Sequence, residues 1–131
     1  MRLLIDCDVL LDVLLKREPH FAASAALLNW AEAHPGSACV AWHTIANIEY
    51  LCAGTARDFI RDLLEFAEIP RIGTHEMLQA LDLRFGDLED AMQTVAAIAF
   101  GAQIIATRNI KDYSASPIRA IIPAEIPPLL S

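Results

Sequence analysis

Leu3-Leu4-Ile5-Asp6-Cys7-Asp8-Val9-Leu10 is the stretch on which the fold turns. Three apolar residues run straight into two acids one residue apart. A continuous apolar run suits a strand buried on both faces, as in a parallel sheet. Asp6 then falls at or just past the strand's carboxyl end, the edge outside which open α/β sheets bind their ligands. A carboxylate there is costly unless something pairs with it. The rest of the chain should supply either a basic partner or a set of groups that share a cation, and what it supplies is more acids.

The 131 residues read as one domain with a sizeable core. The hydrophobic fraction, 55%, is high for a chain without a membrane segment, and the mean hydropathy is +0.37. No apolar run approaches the roughly 18 residues of a membrane span. Asp6, Asp8 and Asp12 interrupt the N-terminal stretch, so it does not read as a signal peptide. The apolar excess is therefore expected to meet another protein chain. Cys7, Cys39 and Cys52 are scattered and outside any CxxC spacing, which suggests reduced cysteines and a cytoplasmic location. A net charge of −7 taken alone argues against nucleic acid as a partner. That argument weakens if several acids surround a divalent metal, because the bound cation puts positive charge where a phosphate would dock.

Helical and strand patterns alternate along the chain. Short helices are expected over Val9 to Leu15, His20 to His34, Thr44 (as N-cap) to Cys52 or Ala53, Ala56 to Ala67, Thr74 to Arg84, and from an Asp87 cap to Phe100. Strands are expected over Ser37 to Ala41, Glu68 to Ile72, Gln103 to Ala106 and Arg119 to Ile122. This alternation implies a three-layer α/β/α sandwich around a central, mainly parallel sheet.

Four acids resist an ordinary reading. Asp6 ends the first strand, and Asp112 follows the strand that ends at Ala106. Glu49 falls within the apolar stripe Ile45, Ile48, Cys52. Asp90 shares a helix face with Asp87 and Thr94, while Leu88, Met92, Val95 and Ala99 form the expected core stripe. Each has a bland alternative: Glu49 as a stripe-edge residue reaching water, Asp87 and Asp90 as helix-start chemistry, Asp112 as a turn residue. Asp58 and Asp62, beside Arg57 and Arg61, look like a solvated face. The four histidines show no ligand spacing, and Trp30 and Trp42 read as core or interface residues. Topology joins the acids, because a parallel sheet gathers all four positions near one edge. Carboxylates so placed repel unless a cation sits between them, and oxygen-only ligands suit Mg²⁺ or Mn²⁺. On this reading Asp6→Asn relieves repulsion and should melt no lower than the wild type without metal.

Four segments in order carry a family resemblance: Leu4-Ile5-Asp6-Cys7-Asp8-Val9-Leu10-Leu11-Asp12, Thr44-Ile45-Ala46-Asn47-Ile48-Glu49, Asp87-Leu88-Glu89-Asp90-Ala91-Met92-Gln93, and Ile105-Ala106-Thr107-Arg108-Asn109-Ile110-Lys111-Asp112-Tyr113. Over nearly its whole length the chain resembles PIN domains of the VapC-type toxin ribonucleases. The resemblance implies a metal-dependent endoribonuclease with Asp6, Glu49, Asp90 and Asp112 as the acidic, metal-binding set. Thr107 and Asn109 would flank the site, with Asp87 as an accessory. It also implies an RNA substrate, a homodimer and an antitoxin that blocks the site. Asp8 departs from the pattern, since the family usually has Asn there; the extra carboxylate puts the metal stoichiometry in question.

Two other readings compete. Asp6-Cys7-Asp8-Val9 also matches the nucleophile motif of haloacid-dehalogenase-like phosphatases, in which Asp6 would form a phospho-enzyme. That reading needs a distant catalytic lysine, and Lys16 and Lys111 are the only lysines. The other is a PIN-like module that binds without cutting.

Overall fold

The computed structural model describes residues 1–130. Five strands form one sheet: β1 (Leu3–Ile5), β2 (Ala38–Cys39), β3 (Ala67–Glu68), β4 (Ile104–Ala106) and β5 (Arg119–Ile121). They lie in the order β3-β2-β1-β4-β5, and every neighbouring pair is parallel. Six α-helices connect them: α1 (Cys7–Leu14), α2 (Phe21–Ala33), α3 (Trp42–Leu51), α4 (Arg57–Leu63), α5 (Thr74–Asp82) and α6 (Leu88–Phe100).

Alternation along the central strands builds both cores. Leu3, Ile5, Ile104 and Ala106 face one side, packed with Val9, Leu10, Leu27, Ile48 and Leu63 from α1 to α4. Leu4 and Ile105 face the other, packed with Ala96, Ala97 and Phe100 of α6. A strand buried on both faces must be apolar at every position, which is why Leu3-Leu4-Ile5 reads as an unbroken run. α5 lies outside this layer and packs on α6 through Ala80, Ala91 and Val95. The result is the α/β/α sandwich with a central parallel sheet.

Several boundaries differ from expectation, and two of the shifts matter for the site. α1 begins at Cys7, directly after Asp6, because the Asp6 side chain caps it. α3 begins at Trp42 with Ala41 as its N-cap, so Thr44 is a buried interior residue and not a cap. β3 occupies Ala67–Glu68, earlier than the expected Glu68 to Ile72. On α6 the buried residues are Ala91, Gln93, Thr94, Val95, Ala96, Ala97 and Phe100; of the expected stripe Val95 is buried, while Leu88 and Ala99 are exposed. Thr94 and its neighbours face inward because α6 is covered twice, by the sheet and by α5. The expected cap of that helix does form, with Asp87 accepting from the Glu89 amide at 2.8 Å. No helix of the described residues is long and apolar enough to cross a membrane.

The sheet order places the site. After β1 the chain crosses to β2 on one side, and it later returns to lay β4 on the other. The carboxyl ends of β1 and β4 therefore flank the point where the winding reverses, and the crevice outside such a point is where these sheets bind ligands. The Asp6 amide donates to the Ala106 carbonyl at 2.9 Å, which fixes Asp6 beside Thr107.

Candidate active site

Asp6 is the centre. It is 8% exposed and accepts four hydrogen bonds. The Cys7 amide (2.7 Å) and Gln93 Nε2 (2.8 Å) donate to Oδ1. The Thr107 hydroxyl (2.9 Å) and the Tyr113 hydroxyl (3.0 Å) donate to Oδ2. Gln93 Nε2 also donates to Thr44 Oγ1 at 3.0 Å, which ties α3 to α6 behind the carboxylate. Four donors offset the cost of burying the charge.

Asp8 sits in the first turn of α1, on the side of the loop after β4. Its Oδ2 accepts from the Arg108 amide (2.8 Å) and Asn109 Nδ2 (3.3 Å), and lies 3.4 Å from Thr107 Oγ1, whose single proton goes to the nearer Asp6. Its Oδ1 is buried without a partner. Burial, followed by the charge of Asp6, pushes the Asp8 carboxyl up to about 6. One turn further on, Asp12 is fully buried and grips the same loop. Arg108 binds it through Nε (2.7 Å) and Nη2 (3.1 Å), Arg17 Nε through 3.0 Å, and the Ser24 hydroxyl at 3.3 Å. α1 and its N-cap thus carry Asp8, Asp12 and Asp6, each fastened to the segment Thr107-Arg108-Asn109.

A second group of acids lines an open cleft of about 260 Å³: Asp87, Asp90 and Asp112, with Arg84 and Lys111 on its walls. Burial first, then the charges of Asp87, Asp112 and Asp6, push Asp90 up to about 6; the Tyr113 hydroxyl facing it acts the other way. Tyr113 thus stands between Asp6 and Asp90. Burial and both carboxylates raise its own pKa. His43 of α3 lies near Asp6 and Glu89, yet neither ring nitrogen has a partner, and burial lowers its pKa and favours the neutral form.

The expected residues divide in their placement. Asp6 and Asp112 each act electrostatically on Asp90, and Asp8, Asp87, Thr107 and Asn109 adjoin them. Glu49 does not join the group. Its carboxylate accepts from the Ala56 amide (3.3 Å) and from Arg57 Nε (2.9 Å), and so holds the start of α4. The cause is helical phase. Thr44 is the α3 residue that reaches the Asp6 network, and a position five residues later lies about 140° around the axis. Gln93, Tyr113, Asp12 and Arg108 are functional-site neighbours that the search for acids passed over. Gln93 was the legible one, three residues after Asp90 on the same helix face.

The donor chemistry fits a hard divalent cation: oxygen ligands only, an orphaned buried carboxylate oxygen on Asp8, and like charges crowded at Asp90. As the side chains stand, no three His, Cys, Asp or Glu residues among the described residues form a ready-made ligand set.

The family model of the PIN domain matches residues 2–111, so the chain belongs to the PIN domain family. Solved structures with the same fold include a toxin–antitoxin complex from Klebsiella pneumoniae, at 22% identity and TM-score 0.68, over 92% of this chain and 96% of that one. The FitAB complex bound to a DNA fragment is similar at 15% identity and TM-score 0.70, over 94% and 96%. VapBC2 from Rickettsia felis, bound to a fragment of its promoter, is similar at 17% and 0.63, over 93% and 98%. No curated protein matches this sequence. Membership in this family and the saturation of Asp6 by four donors both weigh against a phosphatase nucleophile at that residue.

Proposed function

We propose that the chain is an Mg²⁺- or Mn²⁺-dependent endoribonuclease, the toxin of a toxin–antitoxin pair acting in the cytoplasm. The observation that supports this reading is that Asp6, at the carboxyl edge of β1 and β4 in a PIN-family chain, acts electrostatically on both Asp8 and Asp90. Asp6, Asp8 and Asp90 would hold the cation, with Asp112 and Asp87 at the mouth of the cleft. Glu49 has no part in that set. A bound cation would cancel the mutual repulsion of these groups, neutralise charge on a phosphodiester and lower the pKa of an attacking water. The chain's own residues do the positioning. Thr107 donates to Asp6 and accepts from the Asn109 amide at 3.0 Å, so one hydroxyl sets the loop against the acid. Lys111 and Arg84 bring positive charge to the cleft wall, where phosphate oxygens of an RNA strand would lie.

The antitoxin and a second copy of the chain are the proposed partners for the exposed apolar surface. Trp42 (72% exposed), Tyr50 (85%) and Leu51 (58%) on α3, and Leu78 (56%) and Leu81 (59%) on α5, are large apolar groups left uncovered. A groove of about 570 Å³ between the start of α3, α5 and α6 is lined by Trp42, His43, Ile72, Met77 and Met92. Its His43 wall adjoins the acids, so a chain lying in the groove would reach the site.

The purified protein, freed of any partner, should cut a mixed RNA pool with Mg²⁺ or Mn²⁺ and lose that activity in EDTA. EDTA-insensitive cutting would overturn the metal requirement. Binding of RNA with no cutting under any metal would favour a non-catalytic module. Light scattering at micromolar concentration tests the dimer.

A further inference from the structure

A carboxylate offers about four lone-pair positions, two on each oxygen. All four on Asp6 are taken: the Cys7 amide and Gln93 Nε2 fill Oδ1, and the Thr107 and Tyr113 hydroxyls fill Oδ2. The most central acid of the site therefore cannot bind a cation until one donor leaves. The donors are unequal in what holds them. The Cys7 amide belongs to the backbone turn that starts α1. Gln93 is 3% exposed and is also fastened to Thr44. The Thr107 hydroxyl is pinned from the other side by the Asn109 amide, and its alternative acceptor, Asp8 Oδ2, is distant at 3.4 Å and already holds the Arg108 amide. Tyr113 ends the short 3₁₀ turn Ile110–Tyr113, and its hydroxyl already faces a second carboxylate, that of Asp90. Its ring keeps its packing, edge-on to Phe85 with centroids 6.4 Å apart, whichever acid the hydroxyl serves.

We propose that the Tyr113 hydroxyl is a latch on Asp6. A divalent cation reaches Oδ2 only when the phenol withdraws its hydrogen bond from Asp6 and turns its single proton toward Asp90. Tyr113 is a positioning residue acting through Asp6. The latch keeps the buried carboxylate satisfied while no metal is present, and it weakens the intrinsic affinity of the site by the strength of one hydrogen bond to a charged group. The inference rests on the metal-dependent reading above.

The test uses Mn²⁺ alone, with the full chain and its Tyr113→Phe variant, by calorimetric titration and by the paramagnetic resonance signal of free Mn²⁺. Phe keeps the ring and removes only the hydroxyl. The variant should bind Mn²⁺ roughly ten- to a hundredfold tighter than the wild type, since the competing bond is gone. Without metal it should melt lower by several degrees, having lost a buried hydrogen bond. In the wild type, adding Mn²⁺ should change the near-ultraviolet tyrosine absorbance. Tyr50 and Tyr113 are the only tyrosines, and Tyr50 is 85% exposed, so a change missing from the variant belongs to Tyr113. A variant that melts lower but binds no tighter would show a structural hydroxyl and overturn the latch, leaving the metal reading intact. If neither protein binds Mn²⁺, the metal reading fails and the latch with it. Should the variant not fold, the wild-type spectrum decides: a Tyr113 that stays silent on Mn²⁺ binding overturns the proposal.

Discussion

Asp6 and Asp90 face the same tyrosine hydroxyl, yet they are built differently. Asp6 is buried, receives four donors, and as the cap of α1 is fastened, with Asp8 and Asp12 of that helix, to the loop after β4. Asp90 is half-buried at the rim, crowded by Asp87 and Asp112, and displaced up to about 6. The inner network satisfies Asp6 and Asp12 with donors and leaves one oxygen of Asp8 unpaired. The outer region leaves its charges unbalanced and open to solvent. A carboxylate cluster can thus divide into acids held by donors and acids left crowded together, and the two kinds should respond oppositely to mutation.

The largest effect should come from the inner anchor. Asp12→Ala leaves Arg17 and Arg108 without their shared acceptor and opens a hole in α1. Both guanidiniums are partly exposed and can turn to water, so the loss should be about 2–4 kcal/mol. The urea midpoint should fall accordingly, with an unchanged slope. A loss under about 1 kcal/mol would mean that the loop Thr107-Arg108-Asn109 holds its place without the ion pairs.

Asp6→Asn tests the contrast directly. Repulsion alone predicts that the variant melts no lower than the wild type without metal. Four donors aimed at a carboxylate predict the reverse. An amide has one acceptor oxygen, so its NH₂ must face two of those donors and their bonds are lost. The cost should be about 1–3 kcal/mol in the metal-free protein, a drop of several degrees in melting temperature, together with loss of cutting. A melting temperature at or above the wild type would show that burial and like charge outweigh the donors at Asp6, as they do at Asp90.

Much of this was open to reading in the sequence, for physical reasons that differ by residue. Leu3-Leu4-Ile5 and Ile104-Ile105-Ala106 announce buried parallel strands because both faces must be apolar, and parallel topology then sends Asp6 and Asp112 toward one edge. Glu49 misled because its place depends on helical phase, and phase depends on where α3 starts. Taking Thr44 as the cap hid the fact that Thr44 is the inward residue. Asp12 and Arg108 lie ninety-six residues apart, and only the folded chain brings them to 2.7 Å. Tyr113 was passed over because a tyrosine after an acid carries no metal-ligand signature; its role comes from the two carboxylates around it.

The smallest effect belongs to the outer acids and shows best against pH. The Asp90 carboxyl stands near 6 in the folded protein against 3.8 for the free group. Between those values the native state keeps a proton that the unfolded chain has released. Stability should therefore fall as pH rises from about 4 through 6 and stay reduced above that, the opposite of a salt-bridged aspartate. Asp90→Asn removes the titration and one of the crowded charges. The metal-free variant should lose part of the wild-type decline across that window and melt at or slightly above the wild type at pH 7. The gain should be only a degree or two, because a half-exposed charge is well screened. Asp58→Asn, on the solvated face of α4, serves as the control and should leave the pH curve unchanged. An Asp90→Asn protein whose melting temperature declines with pH as steeply as the wild type would place the crowding elsewhere. Asp8, pushed up to about 6 by burial and by Asp6, would then be the group to change.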